Sequence, residues 1–288
     1  MTGKRKHWVA FLLCTAMLIL LAAPGISAAG GWEYSFPENA ASVSITLNGK
    51  KVLERQAAII DSTTYVPLRR FGELMGADDI RWDAKTRTAS IVYGGNTIKV
   101  TDGSHLMSAG ERYFYTDATV KNIDDRLFVP IRPLATAFGL SVNWHADTRT
   151  VELKSVAGGM ASVSKVYNSD DLYWLSRIIY AEAGGESLRG QIAVGNVVLN
   201  RKASRSYPNT VYGVIFDRKG GVQFTPVANG MIYKTPSETS VIAAKICLEG
   251  YTVSVQALYF MNPRLATSNW IAQNCTYLFT IGNHSFYA

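Results

Sequence analysis

The residue whose type and position best suit acid–base chemistry is Glu182, which lies in a stretch that favours a helix. Apolar residues recur before it at the spacing of an amphipathic helix, at Leu172, Leu175, Ile178 and Ile179. At about 100° per residue, Glu182 falls between Leu175 and Ile178, inside the apolar arc. No Lys or Arg lies three or four residues away on that arc. Burial without a cation raises the pKa of a carboxyl group, and a raised pKa suits a general acid near neutral pH.

The elements that must position Glu182 are two helices separated by a glycine turn. Candidate caps for the first helix are Ser169, Asp170 and Asp171. Gly184 and Gly185 end this helix directly after Glu182, and the apolar pattern from Leu188 to Leu199 predicts the second helix. A helix end beside a glycine turn leaves room for a ligand. The alternative is a partly exposed glutamate at a frayed helix C-terminus, where its charge is mildly unfavourable against the helix dipole.

The length of 288 residues predicts two or three domains, each with its own core. Residues 1–29 have the layout of a signal peptide, with basic residues Lys4 to Lys6, an apolar run from Trp8 to Ala23, and small residues up to a cleavage position after Ala29. The apolar run is shorter than the roughly 20 residues that span a bilayer, which disfavours the alternative of an uncleaved anchor. We therefore expect an exported protein without a stable membrane anchor.

The charge of the expected mature chain is mildly basic. Removal of residues 1–29 takes away three basic residues and no acid, so the formal net charge falls from +7 to +4. Such an excess suits an anionic surface such as a wall polymer, and it is too small to indicate nucleic-acid binding. Cys247 and Cys275 would remain and could form a disulfide, although the sequence leaves bonded and free thiols equally open. Neither has the short-spaced Cys or His companions of a zinc site, so no metal and no cofactor are predicted.

An internal repeat follows the signal segment. The sequence YVPLR at 65–69 is echoed by FVPIR at 128–132, and RWDAKTRT at 81–88 is echoed by NWHADTRT at 143–150. The offset is 63 residues for the first pair and 62 for the second, so two structural units are expected. Each unit predicts short strands around one helix. The first helix is expected from Arg69 to Met75 and ends at Gly76, and the second from Arg132 to Phe138 and ends at Gly139. We expect Trp82 and Trp144 to pack each helix on its sheet.

Residues 40–154 resemble the copper amine oxidase N-terminal-like (stalk) domain through this VPLR, helix, glycine and tryptophan pattern. The resemblance implies a non-catalytic module, either a spacer, which we favour, or a dedicated wall-binding module. His105 and His145 are isolated, so copper is not predicted. Residues 155–169 are small and polar without periodicity, which is typical of a linker.

The chain beyond the two predicted helices carries many turn formers from 203 to 236. This composition predicts a loop or small β region over a cleft. Thr235 to Glu238 has the pattern of a capping box with proline at the first helical position, opening a helix that Gly250 closes.

The second half, residues 170–288, resembles the spore-cortex-lytic, cell wall hydrolase family. The motifs that carry this resemblance are Ala181-Glu182-Ala183, Gly185-Glu186, the helix from Gly190 to Arg201, Gln223-Phe224-Thr225, Asn262-Pro263 and Ile281-Gly282-Asn283-His284 to Phe286-Tyr287. The family implies a lysozyme-like α+β fold, mainly helical with a small β or loop region. It also implies cleavage of peptidoglycan glycan strands with Glu182 as the catalytic acid.

The expected reaction follows from the number of carboxyl groups. A hydrolytic glycosidase normally uses two, and Glu186 is the nearest second acid, for which we favour helix capping or site support over a nucleophile role. A lytic transglycosylase needs one acid/base, because the 6-hydroxyl of muramic acid closes on its own anomeric carbon. A single buried Glu182 fits this reaction better and predicts 1,6-anhydro ends.

Other residues are candidates for substrate contacts. Gln223, Thr225, Asn262 and His284 could bind N-acetyl and hydroxyl groups, and Phe224 or Tyr259 could stack on a sugar ring. Their structural alternatives are core packing for the aromatic residues, a turn for Asn262, and a backbone contact for His284.

Two alternatives to a transglycosylase come from other classes. An amidase that cuts muramic acid from the stem peptide usually recruits zinc, and the second half offers only His284 among histidines. A catalytically silent wall-binding protein is disfavoured by the intact motif around Glu182. Either way, the expected location is secreted, in the cell wall or spore envelope of a Gram-positive bacterium. The sequence does not distinguish spore cortex from vegetative wall.

Overall fold

The computed structural model describes residues 33–160, 162–219 and 221–288, with the backbone alone at 163 and 164. The expected signal peptide lies outside these residues. The described chain has an α+β fold with a strand-rich first half and a mainly helical second half, as predicted. None of the described helices is long and apolar enough to cross a bilayer.

The first half consists of short strands and two short helices. In chain order they are β1 (Ala41–Ser42), β2 (Ser44–Leu47), β3 (Lys50–Val52), β4 (Ala58–Ile60), β5 (Thr63–Pro67), α1 (Leu68–Leu74), β6 (Asp79–Asp83), β7 (Thr88–Tyr93), β8 (Asn96–Thr101), β9 (Leu106–Ala109), β10 (Arg112–Tyr115), β11 (Lys121–Ile123), β12 (Arg126–Pro130), α2 (Ile131–Ala137), β13 (Leu140–His145) and β14 (Thr150–Ser155). Asn48 and Gly49, both at positive φ, form the tight turn between β2 and β3.

The two repeats meet in one sheet, with the strand order β1-β4-β5-β12-β11. The equivalent strands β5 and β12 are antiparallel neighbours, and Val66 lies opposite Val129. The remaining strands form the sheets β10-β9-β8-β7-β6 and β13-β14-β2-β3. Buried side chains from all three sheets and from both helices enclose one core, in which the rings of Phe71 and Phe138 pack edge to face.

The two tryptophans of the repeat do not close the core as expected. Trp82 shares the helix-facing side of β6 with Ile80, yet 46% of it stays exposed, and Trp144 on β13 is 41% exposed. Both strands are edge strands of their sheets, and both tryptophans lie close to the hairpin turn. The indoles therefore extend beyond the reach of the helices and line open clefts.

The second half is built around three packed helices. Its elements are α3 (Val163–Val166), α4 (Ser169–Ala183), α5 (Leu188–Ala203), α6 (Val211–Phe216), α7 (Thr225–Ala228), a 3-10 turn (Met231–Tyr233), α8 (Glu238–Leu248), β15 (Tyr259–Met261), α9 (Trp270–Asn274), β16 (Tyr277–Ile281) and β17 (His284–Tyr287). Helices α4, α5 and α8 pack on one another, and Gly195 allows their close approach: a Cβ there would lie 2.7 Å from Ile179 and 2.8 Å from the thiol of Cys247. The strands form the sheet β15-β17-β16.

Several local predictions for the second half need correction. The cap of α4 is Asn168, whose side chain accepts from the amides of Asp170 and Asp171. The cap of α8 is Ser237, so Pro236 precedes the helix instead of opening it. The region 203–236 contains short helices in place of a β region, because short apolar runs such as Val211–Phe216 pack into the core.

The considered disulfide does not form, since Cys247 and Cys275 are both free. The Cys247 thiol is buried between α8 and α5, where it donates to the carbonyl of Ile192 at 3.4 Å. Cys275 follows α9 and lies near Tyr207 instead. Each sulfur is held in a different part of the second half.

The two halves are joined through a buried ion pair. Arg112 on β10 donates to both carboxylate oxygens of Glu249 at the end of α8, at 2.7 and 2.5 Å, and both side chains are less than a tenth exposed. Tyr167, in the segment predicted as a linker, is buried and donates to the same carboxylate at 2.6 Å. This part of the linker is therefore an ordered piece of the junction.

Candidate active site

A groove of about 540 Å³ opens in the second half where α4 ends. It is lined by Glu182, Glu186, Arg201, Gln223, Phe224, Thr225, Phe260, Met261, Asn262, Leu265, Ala266, Ile271 and His284. Residues predicted from motifs up to about a hundred positions apart therefore come together in one place. Among the predicted site residues, Tyr259 is the one that does not line the groove.

Glu182 lies in the last turn of α4, and Gly184 ends the helix two residues later. Its side chain is half-buried at the groove, and no ion pair within 4.0 Å involves it among the described residues. Burial raises the pKa of its carboxyl group to about 7. The desolvation expected from the apolar arc is therefore the cause of the shift, and the group holds a proton over much of the neutral range.

Glu186 is the second carboxyl group of the groove, and its environment lowers its pKa instead of raising it. Its two oxygens accept from the side-chain amide of Asn283 at 2.8 Å and from the backbone N–H of Asn283 at 3.2 Å. These bonds hold the pKa of Glu186 below its usual value. It does not cap α5, because Ser187 does so by accepting from the amide of Gly190. Glu186 instead ties the break between α4 and α5 to the turn between β16 and β17.

Gly282 packs directly against this tie. Its φ is +58°, and an added Cβ would lie 1.9 Å from an oxygen of Glu186. We expect Gly282→Ala to displace Glu186 from Asn283 and to lower kcat about tenfold or more, since small displacements of site groups are costly in rate. Steady-state kinetics checks this, with Gly230→Ala as a control, because Gly230 has a similar φ of +78° but open space around it. Equal losses in both variants would contradict the account.

His284 is buried at the groove floor and carries a ring nitrogen, Nδ1, without a hydrogen-bond partner. That nitrogen lies 3.8 Å from Glu186, and the ring packs edge to face with Phe260. Burial lowers the pKa of His284, which favours the neutral ring. The backbone contact considered from the sequence is not made by Nδ1.

The Gln223-Phe224-Thr225 motif contributes mainly to the wall of the groove. Gln223 donates to the carbonyls of Lys219 and Gly221 and accepts from Arg201, so its amide is largely occupied. Phe224 is 3% exposed and belongs to the core of the second half, which favours the packing alternative. Thr225 begins α7 at the groove with an exposed side chain.

Asn262 and Tyr259 also have structural partners. The Asn262 side chain accepts from the amide of Arg264, and its carbonyl accepts from Leu265 and Ala266, which builds a turn at the groove edge. The hydroxyl of Tyr259 accepts from Tyr207 at 3.0 Å. The Tyr259 ring faces the guanidinium of Arg201 at 5.3 Å.

Arg201 is a groove residue that the sequence reasoning did not single out. It is 5% exposed, donates from Nε to the carbonyl of Leu258 at 2.7 Å, and lies between aromatic rings. Within the described part of the chain, no carboxylate lies within 4.0 Å of it. Arg201 lies seven residues after Val194 and four after Val197, on the buried face of α5. A charged residue on the buried face of a helix is the same signal that identified Glu182.

The residues that the structure describes contain no group of three or more His, Cys, Asp or Glu side chains arranged to hold a metal ion. The groove is thus a site with two carboxyl groups of opposite pKa shift, a neutral histidine and a buried arginine. Two carboxyl groups whose environments shift their pKa values apart are a pattern that glycosidases use to assign acid and base roles.

Comparisons with known proteins agree with this class. Residues 185–287 match the family model described as Cell Wall Hydrolase, beginning three positions after Glu182. Residues 46–153 match the model described as Copper amine oxidase N-terminal domain. Two segments of the chain thus match the two families that the sequence motifs resemble, which confirms both resemblances.

Individual proteins are also similar to parts of this chain. The chain is 39% identical over 137 residues to a spore cortex-lytic enzyme of Bacillus cereus, covering 44% of this chain and 52% of that protein. It is 43% identical over 105 residues to the spore cortex-lytic enzyme of Bacillus subtilis, covering 36% of this chain and 33% of that protein. The chain thus spans about half or less of the length of these curated relatives. The catalytic domain of the germination-specific lytic transglycosylase SleB from Bacillus anthracis is 42% identical, with a TM-score of 0.39, and the match covers 42% of this chain and 97% of that domain.

Proposed function

We propose that the protein is an exported lytic transglycosylase that cleaves peptidoglycan at the bond between N-acetylmuramic acid and N-acetylglucosamine, with the spore cortex as its substrate. The observation that carries this proposal is Glu182, a groove carboxyl group whose pKa is raised to about 7 by burial. The similarity of the surrounding domain to spore cortex-lytic enzymes supports the choice of substrate.

The reaction needs two proton transfers, and Glu182 carries out both. Glu182 donates its proton to the glycosidic oxygen, and the bond from that oxygen to the anomeric carbon of muramic acid breaks. The 6-hydroxyl oxygen of the same muramic acid then bonds to the anomeric carbon. Its proton goes to the Glu182 carboxylate, which restores the starting form. No water is consumed, and the products are a 1,6-anhydro end and a free 4-hydroxyl.

Glu186 supports this site by position and charge. Both of its oxygens accept from Asn283, and Gly282 packs against them, so the carboxylate is held in place on the turn between β16 and β17. As an ionised group in the same groove, it supplies negative charge for the positively charged sugar of the transition state. Glu186 is therefore a positioning and electrostatic residue in this proposal.

Hydrolysis is the second candidate, and one observation favours it. Two carboxyl groups in one groove, one with a raised and one with a lowered pKa, are the usual equipment of enzymes that admit water. The engaged oxygens of Glu186 argue against it. The amidase and the silent wall-binding protein remain the alternatives from other classes.

One digestion separates these candidates. Purified spore cortex peptidoglycan is incubated with the wild-type protein and with Glu182→Gln, and the soluble fragments are weighed by mass spectrometry. We expect anhydro-muramic ends from the wild type and none from Glu182→Gln. Reducing ends would indicate hydrolysis, free stem peptides an amidase, and an absence of fragments a binding protein, and each of these results would contradict the proposal.

A further inference from the structure

Two clefts in the first half have the same construction. The first, of about 380 Å³, is lined by residues that include Pro67, Leu68, Arg69, Ile80, Trp82 and Ala89. The second, of about 430 Å³, is lined by residues that include Pro130, Ile131, Arg132, Val142, Trp144 and Val151. Every member of the second set lies 63 or 62 positions after its counterpart, which is the offset of the internal repeat. We call them the repeat-1 cleft and the repeat-2 cleft.

The backbone around the clefts is duplicated as well. The turns that precede β5 and β12 both have positive φ, at Asp61 and Ser62 and again at Asp124 and Asp125. Each cleft is completed by the turn of the other repeat, with Ser62 in the repeat-2 cleft and Asp125 in the repeat-1 cleft. Because β5 and β12 are antiparallel, the clefts lie at opposite ends of this strand pair. The first half therefore presents one kind of cleft twice.

The shared side chains suit a glycan whose attached groups carry carboxylates. Trp82 and Trp144 each leave close to half of a flat apolar ring exposed, which is the surface that the carbon face of a pyranose covers. Arg69 and Arg132 are exposed beside them, and neither has an ion pair within 4.0 Å among the described residues. A guanidinium fork binds carboxylate groups in a bidentate manner.

The net charge of both clefts has the sign that this ligand needs. The repeat-1 cleft contains four arginines and the three carboxylates of Glu33, Glu73 and Asp125; Arg70 pairs with Glu73 and Arg81 with Asp79, whereas Arg69 has no such pair among the described residues. In the repeat-2 cleft, Arg132 is the charged residue, and the other polar members are Ser62, Thr63, Thr64 and Thr116. A cation with hydroxyl groups and an indole favours an anionic saccharide over an apolar peptide or a second hydrophobic protein surface.

The repeat-2 cleft is also continuous with a longer groove. Thr63, Thr116, Arg132, Pro133 and Val142 line both the cleft and an open groove of about 670 Å³. That groove runs along the junction of the two halves to Gly250 and Tyr251. An open-ended path of this kind suits a polymer better than a small ligand.

We propose that the two clefts are equivalent binding sites for peptidoglycan, with Trp82 and Trp144 stacking on sugar rings of the glycan strand and Arg69 and Arg132 pairing with the free carboxylates of its stem peptides. The first half is then a two-site wall anchor instead of a passive spacer. The identity of the polymer rests on the proposed function, whereas the existence of the sites rests on the duplicated clefts alone.

The test is co-sedimentation of the full chain with insoluble peptidoglycan sacculi that have been stripped of teichoic acid. The Glu182→Gln background prevents digestion. Trp82→Ala or Trp144→Ala should lower apparent affinity about tenfold each, and the double variant about a hundredfold or more, since two linked sites bind with avidity. The double Phe variant keeps a ring at each site and should retain most of the binding. Tyr233→Ala removes an exposed ring of the second half and should change nothing.

Folding and activity controls keep the result interpretable. The urea unfolding midpoint of the double Ala variant should equal that of the parent, so that lost binding is not lost folding. If the proposed catalytic function fails, the wild type releases no fragments, while the order of sedimentation affinities among the variants stays as predicted. Unchanged sedimentation of the double Ala variant would overturn the proposal. Binding that requires teichoic acid, or an equal loss in Tyr233→Ala, would overturn it as well.

Discussion

Replacing Glu182 by Gln should lower kcat for peptidoglycan cleavage by about a thousandfold or more. General acid–base catalysis contributes roughly 10²- to 10⁴-fold, and here a single group carries both proton transfers. Gln keeps the shape of the side chain but cannot deliver a proton. Release of soluble fragments over time measures the loss, and Glu238→Gln, the same change at an exposed position at the start of α8, should retain wild-type activity.

The activity of the wild type should fall as the pH rises above the pKa of Glu182. The acid must be protonated to act, so kcat/KM should stay level below pH 7 and fall about tenfold per unit above it, since the pKa of Glu182 is raised to about 7. A fall that begins near pH 4.5 instead would mean an ordinary exposed carboxyl group.

Glu182→Gln should lose activity without losing stability. The pKa of Glu182 is raised from its ordinary value of 4.5 to about 7 in the folded state. The free energy of unfolding of the wild type therefore falls as the pH rises through this range. Glu182→Gln has no ionisable group at this position, so its free energy of unfolding does not fall for this reason. Urea unfolding at pH 8 should therefore show the Gln variant to be at least as stable as the wild type, and a less stable variant would indicate misfolding as the cause of lost activity.

Breaking the junction between the halves should have the largest effect on stability. Glu249 accepts from Arg112 and Tyr167, and Glu249→Ala would remove the carboxylate that neutralises the buried Arg112 charge. Removal of one member of a buried ion pair costs about 3 to 5 kcal/mol in free energy of unfolding. The halves should also separate into two unfolding transitions, because this pair couples the end of α8 to β10.

Urea unfolding followed by two spectroscopic probes measures this effect. The matched control is Glu73→Ala, which removes an exposed pair with Arg70 at 3.3 Å and should leave the urea midpoint almost unchanged. Arg112→Met combined with Glu249→Leu should lose less than Glu249→Ala alone, because no unpaired charge remains. A Glu249→Ala variant as stable as Glu73→Ala would contradict the proposed coupling.

Local patterns were sufficient to predict the position of Glu182 on the buried side of a helix and the end of that helix. Apolar periodicity places the residue on the buried side of α4, and the glycine after it ends the helix, so both facts are encoded within fifteen residues. The repeat and its paired helices follow in the same way from the two VPLR-type segments. The limits of α1 and α2 differ from the predictions by one residue at each end.

Features that depend on long-range contacts could not be predicted. Arg112 and Glu249 are separated by 137 positions, and neither lies in a motif. Asn283 meets Glu186 across 97 positions, which decides that Glu186 ties two segments together instead of capping a helix. The exposure of Trp82 depends on β6 being an edge strand, and strand order is not visible in the sequence.

The most direct test of the central claim is a titration of the Glu182 carboxyl group itself, by NMR of protein labelled with ¹³C at glutamate side chains and assigned by comparison with Glu182→Gln. We predict that the resonance missing from the variant titrates near pH 7 in the wild type. A midpoint near the ordinary value of 4.5 would contradict the account, because Glu182 would then be ionised at neutral pH and unable to serve as the proton donor.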